Sequence, residues 1–502
     1  MFAAPVRFAG TNPLNPIPNE IYVEIFDYFT PTRAAGLTEA DCKRILSNLA
    51  LVCRFFCAIV LPRIFKSLQF SGTPNIDPNA EISQASLCRG IIKGQEPATS
   101  LSRHVKECTF TSWSKDPKEL KWVYDGFLGM YGQALGRMSN LQSLVLKTME
   151  IDKRFLKVIC GLKGLQSLKF DLCTFLDDIT GTTIQKLTSL KLKRLSYISS
   201  NIEDFAPAIF SRIICTSSLE YLYLSNWAIA RQILVMIDKD SALVELVLEE
   251  AEADPILWNV LQLSRDIKVL RIFTFGLLGP GIPLSPLSMP QLGVLEAPSE
   301  LAPALVPGRP LHTVVINSSP LADSDALKMK QLRLSTVPIR DLEIIVDFYF
   351  HVPFDELRQL EVLQIFYIYG YGTPQFALSK WIEHVLCDLV QKPRSIPSLR
   401  ELKFKFEHIQ YIPIKSRYSF VLNLQLQHKM VVKYLADAFP TVNVFSFAYL
   451  GLLIRWERDQ VSESWTPYIP LEYRHEFLKR LRTTISEDFD GYLESVFHLK
   501  KC

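Results

Sequence analysis

The sequence predicts an α/β protein: a compact helical head at the N-terminus, followed by a long repetitive body built on a parallel sheet. Two observations carry this. An apolar word of the shape L-x-x-L-x-L recurs along the body, with LQSLVL at Leu141, LQSLKF at Leu165, LEYLYL at Leu219, LVELVL at Leu243, IKVLRI at Ile267 and LGVLEA at Leu292. Ahead of these words, residues 15–70 carry apolar side chains at three- and four-residue steps, the spacing of helices rather than strands.

In the head, Pro18, Asn19 and Glu20 open the first helical pattern, because proline suits a first turn and a carboxylate there complements the helix dipole. Ile21, Ile25 and Phe29 follow at four-residue steps, flanked by Tyr22 and Phe26. A second pattern runs through Leu46, Leu49, Cys53, Phe56 and Val60, widened by Leu51, Val52 and Phe55, and Pro62 is expected to break it. Two helices this short cannot bury all these side chains against each other. The surplus needs the body or a partner.

In the body, the words at 141 and 165, at 219 and 243, and at 243 and 267 start 24 residues apart, and the next step is 25. A weaker copy, LKRLSY, begins at Leu192. These spacings fall in the range of leucine-rich repeats, in which each word supplies a short strand and the chain returns as a helix on the opposite side. One unit cannot bury its apolar face alone, whereas stacked units share a continuous core. Ile229 to Ile237 and Pro255 to Leu263 have the length and spacing of return helices, and Leu165 to Cys173 fits an extended word with cysteine inside the turn. Later copies are LHTVVI at Leu311, MKQLRL at Met329, LEVLQI at Leu360, LRELKF at Leu399 and VNVFSF at Val442. Helical patterns are expected at Asp341 to Phe350, Ala377 to Val390 and Met430 to Phe439, with loop insertions around Pro280 to Pro310 and Ile368 to Pro374. The domain organisation expected is a head at 1–72, a transition and N-terminal cap at 73–138, the solenoid at 139–450 and a C-terminal cap at 451–502. Within the transition a strand is expected at Val105 to Phe110 and a helix around Leu120 to Leu135. The C-terminal cap is expected to hold packed Trp456, Trp465 and Tyr468 and a helix from Leu471 to Thr484.

The head words carry a resemblance. Ile17-Pro18-x-Glu20-Ile21, Ile25-Phe26, Leu49-x-Leu51-Val52-Cys53-Arg54 and Leu61-Pro62-Arg63-Ile64-Phe65 resemble the F-box, in the form common in fungal F-box proteins, over roughly one tenth of the chain. The segment Thr30 to Lys43 is longer and more charged than in compact members. The resemblance implies a three-helix segment that docks on the adaptor Skp1 and through it on a cullin, through Ile17, Pro18, Ile21, Ile25, Phe26, Leu49, Leu51, Val52 and Phe56. It also implies that the body, an irregular leucine-rich-repeat array of the kind found behind F-boxes, holds a target protein for ubiquitination. The alternative is a leucine-rich-repeat scaffold without a ligase role, whose head is only a cap.

Composition limits other readings. Across 502 residues, 48% are hydrophobic and 21% charged, which describes a folded chain, and a formal net charge of +3 is too small to imply a nucleic-acid partner. Lys191, Lys193 and Arg194, and Arg474, Lys479, Arg480 and Arg482, read as solvated helix faces or strand edges. The ten cysteines form no paired CxxC words and the eight histidines are scattered, so free thiols in a reducing compartment, cytosolic or nuclear, are expected, with no metal site and no cofactor. The charge-free stretch between Arg271 and Glu296 is interrupted by glycines and prolines, and Val444 to Ile454 is too short to span a membrane. No phosphate loop, GxSxG elbow or HExxH word is present, and no catalytic residue is assigned.

Overall fold

The computed structural model describes residues 8–9, 12–13, 17–29, 39–72, 78–113, 121–176, 190–199, 218–237, 241–252, 254–273, 284–317, 329–345, 352–369, 396–408, 423–449, 452–470, 474 and 477–478. The chain divides into two compact units, Met1–Leu277 and Leu278–Cys502.

The first unit opens with a short antiparallel pair, β1 (Phe8–Ala9) and β2 (Asn12–Pro13), and then three helices, α1 (Asn19–Asp27), α2 (Glu39–Ala50) and α3 (Arg54–Ile64). Pro18 precedes the first helical residue and Glu20 sits in the first turn. The pattern read as one helix from Leu46 to Val60 is two helices, because Cys53 turns extended and caps α3, its Sγ accepting from the Phe56 amide at 3.4 Å. Pro62 does not end α3 as expected: it lies inside the last turn, and the helix runs on to Ile64. So near a C-terminus, proline forfeits a single main-chain hydrogen bond. Tyr22, Phe26, Leu46, Phe55 and Val60 form the core of the head. Edge-to-face contacts at 5.2 Å join Tyr22 to Phe55 and Phe26 to Phe56. Arg63 ties α3 to α1, its Nε donating to Asp27 Oδ1 at 3.0 Å.

Behind the head, β3 (Ser67–Ser71), β4 (Glu107–Trp113), β5 (Ser143–Ile151), β6 (Ser167–Asp171), β8 (Arg194–Ile198), β9 (Tyr221–Leu224), β10 (Glu245–Leu248) and β11 (Val269–Ile272) pair in parallel, one after the next. The two-residue strand β7 (Thr174–Phe175) pairs with the end of β5. The register explains the repeated word. Its fourth positions form one buried row, Leu144, Leu168, Leu195, Leu222, Leu246 and Leu270, and its sixth positions form another, Leu146, Phe170, Tyr197, Leu224, Leu248 and Ile272. The leading leucines at 141, 165, 192, 219 and 243 are buried beside them. Stacked units thus share one core.

The return segments are helices whose starts are capped by side chains. Asp152, Asn226 and Asp254 accept from backbone amides at the starts of Lys153–Cys160, Trp227–Leu234 and Pro255–Leu263. The last matches its sequence-based bounds. The array starts earlier than expected, since β3 and β4 continue both buried rows through Phe70, Cys108 and Phe110. Residues 73–138 therefore hold repeat members, with helices Pro78–Lys93 and Lys121–Leu135, in place of a separate cap. At the end of β3, a Cβ on Gly72 would stand 2.4 Å from the Ser112 carbonyl oxygen and 2.9 Å from the Trp113 ring. Gly72→Ala is accordingly expected to cost about 1–3 kcal/mol, measured by urea denaturation, through displacement of backbone that holds the β3–β4 ladder.

In the second unit, β12 (Val294–Ala297), β13 (Thr313–Ile316), β14 (Asp341–Ile345), β15 (Val362–Tyr369), β16 (Glu401–His408) and β17 (Val444–Tyr449) are parallel, and β18 (Leu452–Arg458) and β19 (Trp465–Tyr468) close the series antiparallel. Leu295, Val314, Leu342, Leu363, Leu402 and Phe445 make its buried row. Two expectations are corrected here. Asp341–Ile345 is a strand, not a helix, because Leu342 and Ile344 point inward while Asp341 and Glu343 point outward, with period two, and 346–350 lie outside the described residues. The word at Met329 is no strand: Lys330–Leu334 is a 3₁₀ turn that buries Met329 and Leu332 in the return segment.

Residues 284–310 are ordered repeat structure and not a loop insertion, with β12 followed by the helical turns Ser299–Leu301 and Ala302–Leu305. Helical structure from Leu424 to Ala438, with a π turn at Val431–Leu435, covers the expected Met430 to Phe439 except its last residue. The closing element is the β18–β19 hairpin, where Trp456 Nε1 donates to Gln427 Oε1 at 2.9 Å and Trp465 lies on Phe445. Tyr468, expected to pack, is exposed. Ala377 to Val390, and all but three residues of Leu471 to Thr484, lie outside the described residues.

Candidate functional site

Helix α1 and the turn that follows it have two apolar faces. Tyr22, Phe26 and Phe29 point into the head, while Ile21, Ile25 and Tyr28, at steps of four and three, point out and are 49%, 45% and 58% exposed. A helix packed on a core ordinarily turns polar side chains to water. The sequence pattern had set Ile21 and Ile25 in line with Phe29, whereas the fold buries the flanking pair instead. Leu51 and Val52, in the turn between α2 and α3, are 86% and 65% exposed.

Of the nine residues expected to contact an adaptor, Pro18, Ile21, Ile25, Leu51 and Val52 are exposed, and Ile17, Leu49 and Phe56 are half-buried against the core of the head. Phe26 departs from the expectation: 2% exposed and packed on Phe56, it holds α1 in place and offers no surface. Val23 and Tyr28 are exposed apolar residues that the sequence reading missed, although Tyr28 continues the Ile21–Ile25 line by three residues. Arg63 fixes the pose of this helix, since it donates to Asp27 and its Nη2 reaches the Val23 carbonyl at 3.4 Å.

The second surface is the sheet face of the first unit that turns away from the buried rows. Ser167, Arg194, Tyr221 and Glu245 are register partners across β6 to β10, and Lys169, Ser196, Tyr223 and Val247 form the next row. Between them lies a shallow depression of about 290 Å³. The Arg194 guanidinium stacks over the Tyr221 ring, 4.1 Å from its centroid. The Tyr223 hydroxyl donates to Glu249, and burial together with that carboxylate keeps the phenol protonated well above its ordinary range. Arg194, read from sequence as part of a solvated helix face or strand edge, is thus held in a defined pose. Arg194 and Tyr221 at the third position of adjacent words are the only sequence sign of it.

Among the described residues no group of three histidine, cysteine or acidic side chains is placed to hold a metal ion, and no helix is long and apolar enough to cross a membrane. Burial pushes the Cys88 thiol up to about 12 and that of Cys173 to about 11, and it raises Cys108 as well. Iodoacetamide at pH 8 is expected to modify half-buried Cys53, Cys57 and Cys160 in the native protein, and Cys42, Cys88, Cys108 and Cys173 only after unfolding, as read by mass spectrometry. The linkage has a definite sign. The Cys88 and Cys173 thiols ionise near 9 in the unfolded chain and higher in the folded one, so their contribution to stability is intact below pH 9 and falls as the pH rises from there through 11 to 12.

No family model matches the sequence, and no curated protein matches it. Solved structures do. The yeast complex of Rad7 and Elc1 matches at 14% identity over 76% of this chain and 96% of that one, with a TM-score of 0.34. The TLR13–ssRNA13 complex matches at 16% identity over 69% of this chain, with a TM-score of 0.32, and this chain spans only 44% of that one. The internalin InlF of Listeria monocytogenes matches at 12% identity over 66% of this chain and 92% of that one, with a TM-score of 0.29.

Proposed function

We propose that this chain is the substrate-recognition subunit of an SCF-type ubiquitin ligase, with the head bound to a Skp1-like adaptor and the repeat body bound to a target protein. The observation that carries the reading is the outward line Ile21, Ile25 and Tyr28 on a helix whose other face already fills the core of the head. The ordered head words support it, because the exposed Ile21, Ile25, Leu51 and Val52 fall within those words. Burying a large aliphatic side chain contributes about 1.5–3 kcal/mol, so two isoleucines with Leu51 and Val52 supply a substantial share of a micromolar interaction.

On this reading the chain performs no chemistry itself. It brings a target close to a subunit that carries activated ubiquitin, raising the effective concentration of one near the other. The role places it in the cytosol or nucleus, where such ligases work.

Reconstitution tests the proposal. Full-length protein co-expressed with Skp1 and the N-terminal part of a cullin is expected to elute from a sizing column as one stoichiometric complex. Separate elution of this chain at micromolar concentration sinks the ligase reading and leaves the scaffold whose head is only a cap.

A further inference from the structure

We infer that the outer sheet face of the first unit binds an acidic segment of a partner protein, seating one aspartate or glutamate carboxylate between Lys169 and Arg194. This deepens the target-binding half of the proposed function and rests on it. Lys169 on β6 is the register partner of Ser196, and Arg194 on β8 is the register partner of Ser167. The two cations are therefore diagonal neighbours on adjacent strands, a spacing that long side chains bridge. Both line the depression, together with the two serines and Tyr221 and Tyr223.

The donors differ in how far they are already committed. Stacking on Tyr221 fixes the plane of the Arg194 guanidinium and leaves its edge for a two-point contact, the geometry a carboxylate accepts. Lys169 has Asp171 at 3.5 Å, a long pair that leaves most of the ammonium's donor capacity open. Tyr223 is bound to Glu249 and acts as a wall.

Charge selects the occupant. Farther along the sheet Arg271 and Glu245 pair with each other at 3.5 Å. Around the depression the cations Lys169 and Arg194 stand against one carboxylate, Asp171, 3.5 Å from Lys169, an excess of one positive charge. One carboxylate balances it, whereas a phosphate dianion overshoots. Val145 and Ile198 at the rim give apolar footing to the residues on either side of the acid.

The test is fluorescence anisotropy on the full-length protein with a labelled peptide containing a Val-Asp-Leu-Glu-Val run, its Asn/Gln counterpart, and a version with phosphoserine in place of the aspartate. The acidic peptide is expected to bind, to weaken at high salt, and to lose at least about tenfold in affinity with Lys169→Gln plus Arg194→Gln, while the melting curve stays unchanged. Arg194→Lys is expected to fall between. Equal binding of the neutral peptide, tighter binding of the phosphopeptide, indifference to the double substitution, or no binding at all overturns the inference. Adaptor capture is scored on the same preparations: capture without peptide binding sinks only the carboxylate site, and peptide binding without capture sinks only the ligase reading.

Discussion

Replacing Ile21 and Ile25 together by aspartate is expected to reduce affinity for a Skp1-like adaptor at least about a hundredfold while leaving the thermal melt of the free protein within a degree or two of wild type. Both side chains are about half exposed, so little core packing is lost by changing them. In the complex the substitution acts twice. It removes roughly half of the ~1.5–3 kcal/mol that full burial of each side chain contributes, since each is already about half covered, and it places carboxylates against an apolar surface, which adds a desolvation cost. Phe26→Ala is the informative contrast. That ring is buried against Phe56, and its removal is expected to destabilise the head by about 3–5 kcal/mol, so any loss of capture comes with a lower melting temperature. Adaptor binding by the double aspartate variant within threefold of wild type, by calorimetry, would falsify the outward-line model.

The repeats were legible where leucine itself filled the word and obscured where other side chains did the same work. FKSLQF at Phe65 and VKECTF at Val105 are copies in which phenylalanine, valine and cysteine occupy leucine positions, and their strands β3 and β4 extend the two buried rows. What the ladder requires at these positions is an inward apolar side chain, and a search for leucine alone undercounts it. The opposite error arose at Met329, where MKQLRL has the right residues but coils into a 3₁₀ turn, the strand following at Asp341. Both segments bury apolar residues, and a run of five cannot separate period two from a helical step on its own. In the head, the helical spacing was readable but the choice of inner face was not. Tyr22 and Phe26 win the interior because the aromatic rings of α3, Phe55 and Phe56, offer edge-to-face partners that a β-branched isoleucine cannot match.

Arg309→Met is expected to destabilise the second unit by about 3–5 kcal/mol. The side chain is fully buried, and its four hydrogen bonds run to main-chain carbonyls: Nε to Ser288 at 3.1 Å, Nη1 to Ala304 at 3.1 Å and Pro307 at 3.0 Å, and Nη2 to Ser285 at 3.2 Å. Burial lowers the guanidinium's pKa, yet arginine stays charged at neutral pH, so among the described residues this cation is balanced by carbonyl dipoles alone. An apolar replacement for a buried ion pair can be neutral, because both charges leave together. Here the carbonyls remain behind. They belong to the Pro-rich segment that the sequence reading took for an insertion, and the guanidinium fork joins the turn before β12 to the helical turn after it. Next to it Gly308 has φ +77°, and a Cβ there would meet Pro286 at 2.8 Å, so the chain has little room to rearrange around a lost donor. Arg309→Lys is expected to recover only part of the loss, since an ammonium cannot span four acceptors in a planar fork. Urea denaturation measures the change, and hydrogen exchange is expected to localise it to β12 and β13. Stability of the methionine variant within about 0.5 kcal/mol of wild type refutes the staple, because a surface-like tolerance is incompatible with carbonyls that depend on one side chain.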